Sequence, residues 1–505
     1  MRTTLPIAQG FYVSDSLPVS SQRAVNWRPS VPQTSTITDA NLFSTPGIDG
    51  IIESAQTPPG AALDRCRGAH VLAGTAYFVI RNSLVRLNRT IGSGGESFSL
   101  TVIGVIPGSE RVFMADNGTQ MCIVAVPDSI TSGASYIFTE SPDTLTEITD
   151  VNFDGPASSV IYIDGYFVFH KSDGKKFFNS NLNDGLTYDA LDFNVAEADP
   201  DQIRGLGAIN NQLYVFGSET TQLFRNIGRV PAPFAPISGA VIDLGVFSPQ
   251  TIVRFGGGLA FVGGGTNESP AVWLISGSQK RKLSTIAIDT ELSKVEDFND
   301  IFSWVYSESG AFFLGIATPS TCFVYDLTNS RWHERQSVNG SNLGTYRVSH
   351  MITAYERVLV GDLQSGRIGS LSETTYTEYG ILTKRFVVSR PFDNTGNPLR
   401  VLSIEAVVEN GVGLANDIQV QVGTSPTGQA QFGTGGSDPQ VTLSWSDDGG
   451  RNFEGFLSRS MGKIGEFESR PNWSRLGRFP RQRALRFEVS SPTKATLVKV
   501  EADID

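Results

Sequence analysis

Seven short apolar segments recur along the middle of the chain, and each is followed by a turn-forming residue. Successive segments are 44 to 53 residues apart. They are AYFVI from Ala76, MCIVAV from Met121, YFVFH from Tyr166, LYVFG from Leu213, LAFVGGG from Leu259, FFLGIA from Phe312 and VLVGD from Val358. Each segment is almost continuously apolar, as expected of a strand that is covered on both faces.

A repeat in the mid-forties is typical of a four-stranded propeller blade. The spacing therefore predicts an all-β chain with a β-propeller of about six to seven blades over residues 61–378. A large β-sandwich with coincidental spacing is the alternative interpretation. Helix signals are few, and Asp289–Asp300 has helical spacing of Leu292, Val295 and Phe298 inside the longest interval. We expect a helix there, inserted between two blades.

The pattern changes after about Gly380, where apolar and polar residues begin to alternate. Leu485, Phe487 and Val489 face one side of a strand, whereas Arg486 and Glu488 face the other. Strands with one wet face are typical of a sandwich, so residues 379–505 are predicted to form a C-terminal β-sandwich domain. Residues 1–60 are rich in Ser, Thr and Pro, and we expect an extended segment that wraps the outside or supplies a closing strand.

Composition narrows the class of protein. The 505 residues carry a formal charge of −11 and only three cysteines, which are scattered and lack CxxC spacing. Such cysteines are expected to be buried small hydrophobes in a chain made in a reducing compartment. The acidic balance argues against sequence-specific reading of nucleic acid. No apolar run is long enough to span a membrane, and the start MRTTLPIAQG does not have the pattern of a signal peptide.

One motif carries a chemical association. SWSDDGGRNF contains Ser446, Asp448, Gly450 and Phe453 at the spacing of the Asp-box of sialidases, with Phe where that family usually has Trp. The stretch lies between two predicted strands, so Asp448 is expected to accept bonds from turn amides while Phe453 covers the base of the hairpin. We interpret the box as a structural turn. Sialidases repeat it in several blades, whereas this chain has it once, outside the repeat.

Other catalytic and ligand-binding signals are weak. The four histidines show no paired ligand spacing, and there is no GxSxG. The stretch NSNLNDG, residues 179–185, has the alternating Asn of a calcium loop, but its glycine falls one place late and no Glu closes it. We therefore predict no catalytic residue, no cofactor and no metal site.

Arginines are concentrated near the C-terminus, with no acidic residue between Glu468 and Glu488. A solvated loop or docking onto an acidic neighbour is the favoured interpretation, with nucleic-acid contact as the alternative. We predict a protein–protein contact, either with a second subunit or with an adaptor. The candidate interface residues are Arg470, Arg475, Arg478, Arg481 and Arg483.

Several stretches in order resemble the tail hub or nozzle proteins of short-tailed bacteriophages, also called packaged-DNA stabilisation proteins. The matching stretches are AVNWRP, STPGI, RVFMADNGTQ, NSNLNDGLTYDALDFNVAEADPDQIRGL, LYVFGSETTQLFRNIG, FVYDLTNSRWHERQS and WSRLGRFPRQRALRFEVSSPTKATL. The resemblance implies a structural virion subunit, without enzymatic activity, that forms a homo-hexameric tube below the portal and its adaptor protein. It also implies fibre or spike proteins and a plug or needle as partners.

In such a tube double-stranded DNA would be retained and would pass without specific binding. Six copies would carry six times −11, or −66, formal charges, which would repel DNA from the walls. We expect synthesis in the host cytoplasm and incorporation into the virion tail. The competing hypothesis is a propeller-type glycosidase or carbohydrate-binding protein, which would need two carboxylates across a cleft if it cleaved sugars.

Overall fold

The computed structural model describes residues 2–53, 65–129, 132–196, 201–340, 342–393, 397–424, 429–479 and 481–504. The described chain is all-β, as predicted, with one α-helix among these residues. The strands that precede the repeat are β1 (Arg2–Leu5), β2 (Tyr12–Val13), β3 (Ser21–Val25), β4 (Trp27–Ser30), β5 (Asn41–Ser44) and β6 (Gly47–Ile52).

The next sixteen strands form four consecutive four-stranded sheets, which are blades one to four. Blades one and two are β7 (Cys66–Leu72), β8 (Thr75–Ile80), β9 (Ser83–Gly92) and β10 (Gly95–Val105), then β11 (Val112–Asp116), β12 (Gln120–Ser129), β13 (Ser132–Glu140) and β14 (Asp143–Glu147). Blades three and four are β15 (Ala157–Ile163), β16 (Tyr166–Lys171), β17 (Phe177–Asn181) and β18 (Asp184–Asn194), then β19 (Ile203–Ile209), β20 (Gln212–Gly217), β21 (Thr221–Asn226) and β22 (Phe234–Ile242).

Blades five to seven depart from this simple order. Blade five is β23 (Gly245–Val246) and β24 (Val253–Phe255), which both pair with β25 (Gly258–Gly264), then β26 (Ala271–Ser276) and β27 (Gln279–Lys282). Blade six is β28 (Phe302–Glu308), β29 (Ala311–Ala317), β30 (Cys322–Asp326) and β31 (Arg331–Asn339), with β32 (Asn342–Thr345) attached to β31. Blade seven is β33 (Val348–Ala354), β34 (Arg357–Asp362) and β35 (Ile368–Ser372), completed by β6 from the N-terminal segment.

The seven apolar segments are the second strands of seven separate sheets, namely β8, β12, β16, β20, β25, β29 and β34. A separate hydrophobic cluster lies between each adjacent pair of blades, including one between blades seven and one that contains Ile52 and Phe78. The described sheets therefore form a closed seven-bladed propeller, which confirms the predicted fold. Second strands are apolar on both faces because a neighbouring blade covers each face.

The strands after the repeat form the sandwich, except for four (Thr377–Glu378, Ile381–Leu382, Ile418–Thr424 and Ala430–Gly435) that extend the sheet of blade seven to eight strands. In chain order, the strands after the repeat are β36 (Thr377–Glu378), β37 (Ile381–Leu382), β38 (Arg385–Val388), β39 (Phe392–Asp393), β40 (Leu399–Val408), β41 (Ile418–Thr424), β42 (Ala430–Gly435), β43 (Gln440–Ser446), β44 (Glu454–Ser460), β45 (Asn472–Ser474), β46 (Arg478–Phe479), β47 (Gln482–Val489) and β48 (Leu497–Ile504). One sheet runs β4-β5-β48-β40-β45, and it faces the layer β38-β47-β43-β44 across a core that includes Trp27, Ile404, Leu443 and Phe487.

The N-terminal segment joins the two regions. Strand β3 pairs in parallel with β31 at Val25 and Glu334, and antiparallel with β38 from Arg23 to Val25. Blade six and one layer of the sandwich are therefore parts of a single twelve-stranded sheet. We use the name N-terminal seam for five strands: β3 with its partners β31 and β38, and β6 with its partner β35. Strand β6 closes blade seven, whereas the assignment of residues 1–60 to an extended segment and the boundaries at 60 and 378 remain predictions.

The predicted helix is shorter and lies earlier than expected. Helix α1 covers Ile286–Leu292 between blades five and six, and Phe298–Asp300 forms a separate 3-10 helix. Asp297 accepts a hydrogen bond from the backbone N–H of Asn299 and so starts the second helix. Val295 and Phe298 pack against the cluster between blades five and six without continuing the first helix, which explains their helical spacing.

Candidate functional site

The Asp-box residues form a compact turn between β43 and β44. The Ser446 hydroxyl donates to Asp448 Oδ1 at 2.6 Å, and the backbone N–H groups of Arg451 and Asn452 donate to the same atom at 2.9 and 3.0 Å. Gly450 N donates to Ser446 Oγ at 2.8 Å. The hydroxyl of Ser446 and the amide of Asn452 hold the pKa of the Asp448 carboxyl well below its usual range. This carboxylate is committed to the turn.

The turn packs against the N-terminal segment. Gly449 and Gly450 have φ of +82° and +95°, and a Cβ at Gly450 would lie 2.6 Å from the Ser21 side chain. Glycine is therefore required here by conformation and by space. Phe453 packs against a cluster that contains Val25 and Phe386. The box thus stabilises the junction between β3 and the sandwich.

The five candidate interface arginines have different environments. Arg475, Arg478 and Arg481 are exposed, and no carboxylate pairs with them among the described residues. Arg470 is also exposed, and its guanidinium lies 3.1 Å from a carboxylate oxygen of Glu405. Arg475 lies between β45 and β46, whereas Arg478 lies in β46, which pairs with β40.

The structure corrects the prediction that Arg483 is an interface residue, because this arginine is not on the surface. Its side chain is 4% exposed, and its Nε and Nη2 atoms donate to the Asp447 carboxylate at 2.6 and 2.8 Å. The guanidinium also stacks on Phe479 and donates to the Leu476 carbonyl. The signal was present in the sequence, since Arg483 shares strand parity with the inward-facing Leu485. A prediction based only on the density of arginines does not take this strand parity into account.

A cavity of about 1160 Å³ that the sequence did not reveal opens on the propeller axis. Residues from all seven blades line it, because inner strands converge at the axis. Its charged side chains are of both signs: Arg65, Arg111, Arg204, Glu110, Asp297 and Asp300. Mouths of such closed β architectures are common ligand sites, so this cavity is the candidate site for an interacting group.

Arg111 is the most unusual group of the axial cavity. Its guanidinium lies 3.7 Å from the ring centroid of Phe302 and donates to the Ser349 carbonyl at 2.6 Å. Burial, with a contribution from Arg65, lowers the pKa of Arg111 to about 9. Burial and the neighbouring Asp297 raise the pKa of Asp300, which also lines the cavity. Asp297 itself caps the 3-10 helix.

No cluster of three metal-ligating side chains occurs in the described ranges. Burial lowers the pKa of His170 to about 4 and places those of His333 and His350 well below the usual range. The calcium-loop-like stretch ends β17 and starts β18, with Asn183 at φ +56° in the turn. All three cysteines are free and buried. The described helices include none that is long and apolar enough to cross a membrane.

Together these features define an all-β propeller–sandwich protein with structural turns and a mixed-charge axial cavity. A family model described as the bacteriophage P22 Gp10 β-propeller matches residues 3–376, and one described as the bacteriophage P22 Gp10 β-sandwich matches residues 406–505. The chain belongs to the bacteriophage P22 Gp10 family, and it is a phage tail hub or nozzle protein. This confirms the resemblance drawn from the sequence.

Comparisons with other proteins add little. No curated protein matches the chain. The extracellular domain of a hybrid two component system from B. thetaiotaomicron is 10% identical over 77% of this chain and 47% of that domain, with a TM-score of 0.40. This chain therefore spans about half of that structure.

Two further solved structures have lower scores. The computationally designed Ika8 protein is 11% identical, with a TM-score of 0.34, over 70% of this chain and 99% of that chain. An exo-β-1,3-galactanase from Phanerochaete chrysosporium is 10% identical, with a TM-score of 0.30, over 82% of this chain and 100% of that chain. Likenesses of this strength carry no argument about function.

Proposed function

We propose that the chain is a structural, non-enzymatic subunit of a homo-hexameric tube that extends the phage tail below the portal and its adaptor protein. The tube retains packaged double-stranded DNA and lets it pass during ejection. It also carries fibre or spike proteins and accepts a plug or needle. The observation that carries the proposal is the match of both P22 Gp10 domains, in order, along one chain.

The connection between the propeller and the sandwich supports a role in resisting mechanical stress. A tube that retains packaged DNA is under stress, and a stiff junction between domains resists relative motion. Here the junction is a continuous hydrogen-bonded sheet from blade six to the sandwich, reinforced by the Arg23–Glu334 ion pair across β3 and β31. Domains that touch only through a small polar interface move relative to each other by default.

The acidic balance supports passage without binding. A formal charge of −11 for each copy gives a tube that repels phosphate overall.

The non-enzymatic part of the proposal is supported by the role of Asp448 in its turn, since both oxygens of its carboxylate accept local hydrogen bonds.

Size-exclusion chromatography with light scattering tests the proposal. The purified chain should form hexamers, alone or after addition of the adaptor protein, and should show only weak, salt-sensitive binding to duplex DNA. A chain that remains monomeric in both conditions contradicts the tube. Turnover of an oligosaccharide by the pure chain contradicts the non-enzymatic role.

A further inference from the structure

The hairpin of β41 and β42 forms the end of the sheet that blade seven begins. Its two strands pair from Ile418 with Gly435 to Thr424 with Ala430. The inner strand, β41, is attached to the body by a parallel pairing of Gln421 with Ile381. Backbone bonds of 3.1 Å also run from Gln421 N to the Gly380 carbonyl and from Thr424 N to the Gly340 carbonyl. Strand β42 is the outermost strand of this eight-stranded sheet.

The outer edge of β42 presents backbone groups outward. Gln421 donates its N–H away from β42, to Gly380. Directly opposed residues in an antiparallel pair direct their backbone groups the same way, either toward each other or outward. Phe432 is opposite Gln421, so its N–H and C=O point outward. Thr434, two positions along, points outward as well, and no other described strand pairs with this edge.

The hairpin also lacks the protection that exposed edges normally carry. Residues 418–437 contain no ionisable side chain, and Phe432 is 60% exposed. The outer strands of three blades are protected: β27 reads Gln-Lys-Arg-Lys, β14 begins with Asp143 and ends with Glu147, and β22 contains Pro236. Charges and prolines at edges prevent pairing between chains, so their absence from β42 indicates an edge that is used for pairing.

We infer that β42 adds its edge to a strand of a second copy of this chain, so that the hairpin is a contact between neighbouring subunits. Two copies that each carry −11 repel each other, and this exposed stretch brings no charge to their contact. Main-chain hydrogen bonds along the edge supply affinity, and the ring of Phe432 supplies apolar burial. The inference rests on the proposed tube, since it places one of the contacts that build it.

Sedimentation velocity of the full-length chain tests the contact with two variants and a control. Phe432→Lys places a charge on the edge, and Thr434→Pro removes an outward donor without removing a bond to β41. Val105→Lys on β10 is the control, because Val105 is 61% exposed and lies on a propeller edge. Both hairpin variants should raise the concentration for half-assembly by at least about tenfold, with an unchanged circular dichroism spectrum. The control should assemble like the wild type.

The outcomes separate the inference from the proposed function. A wild type that assembles together with hairpin variants that assemble equally well overturns the inference alone. Loss of binding to another tail protein with unchanged self-assembly overturns it too. A wild type that never assembles, with or without the adaptor, overturns the tube and the inference together. If Phe432→Lys misfolds, Thr434→Pro decides, because proline is tolerated on an edge.

Discussion

Blades one to four and the N-terminal seam are built on different principles. In each of these blades, all four strands come from one stretch of about forty residues, and the strands pair in chain order. At the seam, Arg23 contacts Glu334 across a separation of 311 positions. The blades are local and repetitive, whereas the seam is long-range and unique. Ring closure and the link to the sandwich therefore depend on a few residues that no other part of the chain duplicates.

Ion pairs also differ between the local blades and blade seven, which strand β6 of the N-terminal segment completes. In blades one and two, the Arg86–Asp143 pair is exposed, with side chains 23% and 36% accessible. In blade seven, the Arg347–Asp362 pair is almost fully buried, at 4% and 0%, and the Asp362 carboxylate also accepts a bond from Gln364 N. An exposed pair contributes little to stability, whereas breaking a buried pair leaves a charge without a partner.

The largest expected effect follows from this contrast. Asp362→Ala should reduce the free energy of unfolding by about 3–5 kcal/mol, because it strands the buried Arg347 guanidinium. Asp143→Ala is the matched control and should cost only about 0–1 kcal/mol. Urea unfolding monitored by tryptophan fluorescence measures both. Equal losses in the two variants would contradict the difference between the buried ion pair of blade seven and the exposed pair of blades one and two.

A pH-dependent effect of about 2 kcal/mol is expected in blade three. His170 is buried, accepts or donates one bond with Ser159 Oγ at 2.9 Å, and has a pKa lowered to about 4 by burial. The unfolded chain, with a histidine pKa near 6.5, binds the proton more tightly. Stability from this group is thus complete above about pH 6.5 and is lost as the pH falls toward 4.

His170→Gln should therefore unfold with a weaker pH dependence than the wild type. Between pH 8 and pH 5 the difference between the two proteins should change by about 2 kcal/mol in favour of the variant. Thermal unfolding at each pH measures it, with pH 8 as the internal reference. Parallel curves for the two proteins would show that the pKa of His170 is not lowered in the folded state.

A smaller loss is expected at the Asp-box turn. Asp448→Ala removes the acceptor for two backbone amides and should cost about 0.5–2 kcal/mol, similar to the loss of other side-chain caps. Assembly should be unaffected. Asp173→Ala, which removes an acceptor for Lys175 N in the turn between β16 and β17, is a comparable control. Abolition of a sugar-cleaving activity in folded Asp448→Ala protein would refute the structural interpretation.

The smallest effect on folding is expected from the exposed arginines. Reversal of Arg475 and Arg478 to Glu should change the free energy of unfolding by less than about 0.5 kcal/mol, as is usual at surface positions. The same double variant should weaken assembly if these residues contact an acidic neighbour. Light scattering measures the second effect. Unchanged assembly refutes the interface, and loss of a tight, salt-sensitive DNA complex would assign the arginines to phosphate.

The sequence predicted the local part of this structure better than the distant part. Segments such as YFVFH and LYVFG predict buried strands because a strand covered by neighbouring blades on both faces needs apolar side chains on both faces. The pairing of β3 with β31 leaves no such trace, since it depends on contacts between residues far apart in the chain. The axial cavity could not be predicted from the sequence for the same reason, because Arg111 and Phe302 meet only when the ring of blades closes. Arg483, by contrast, was readable from strand parity.

Differential scanning calorimetry of the full-length chain tests most directly whether the seam makes propeller and sandwich one body. Because blade six and the sandwich share a continuous sheet, the account predicts one cooperative transition. It also predicts that Asp362→Ala, in blade seven, lowers the temperature of that entire transition. Two separate transitions, with only the one assigned to the propeller shifted by Asp362→Ala, would contradict the account.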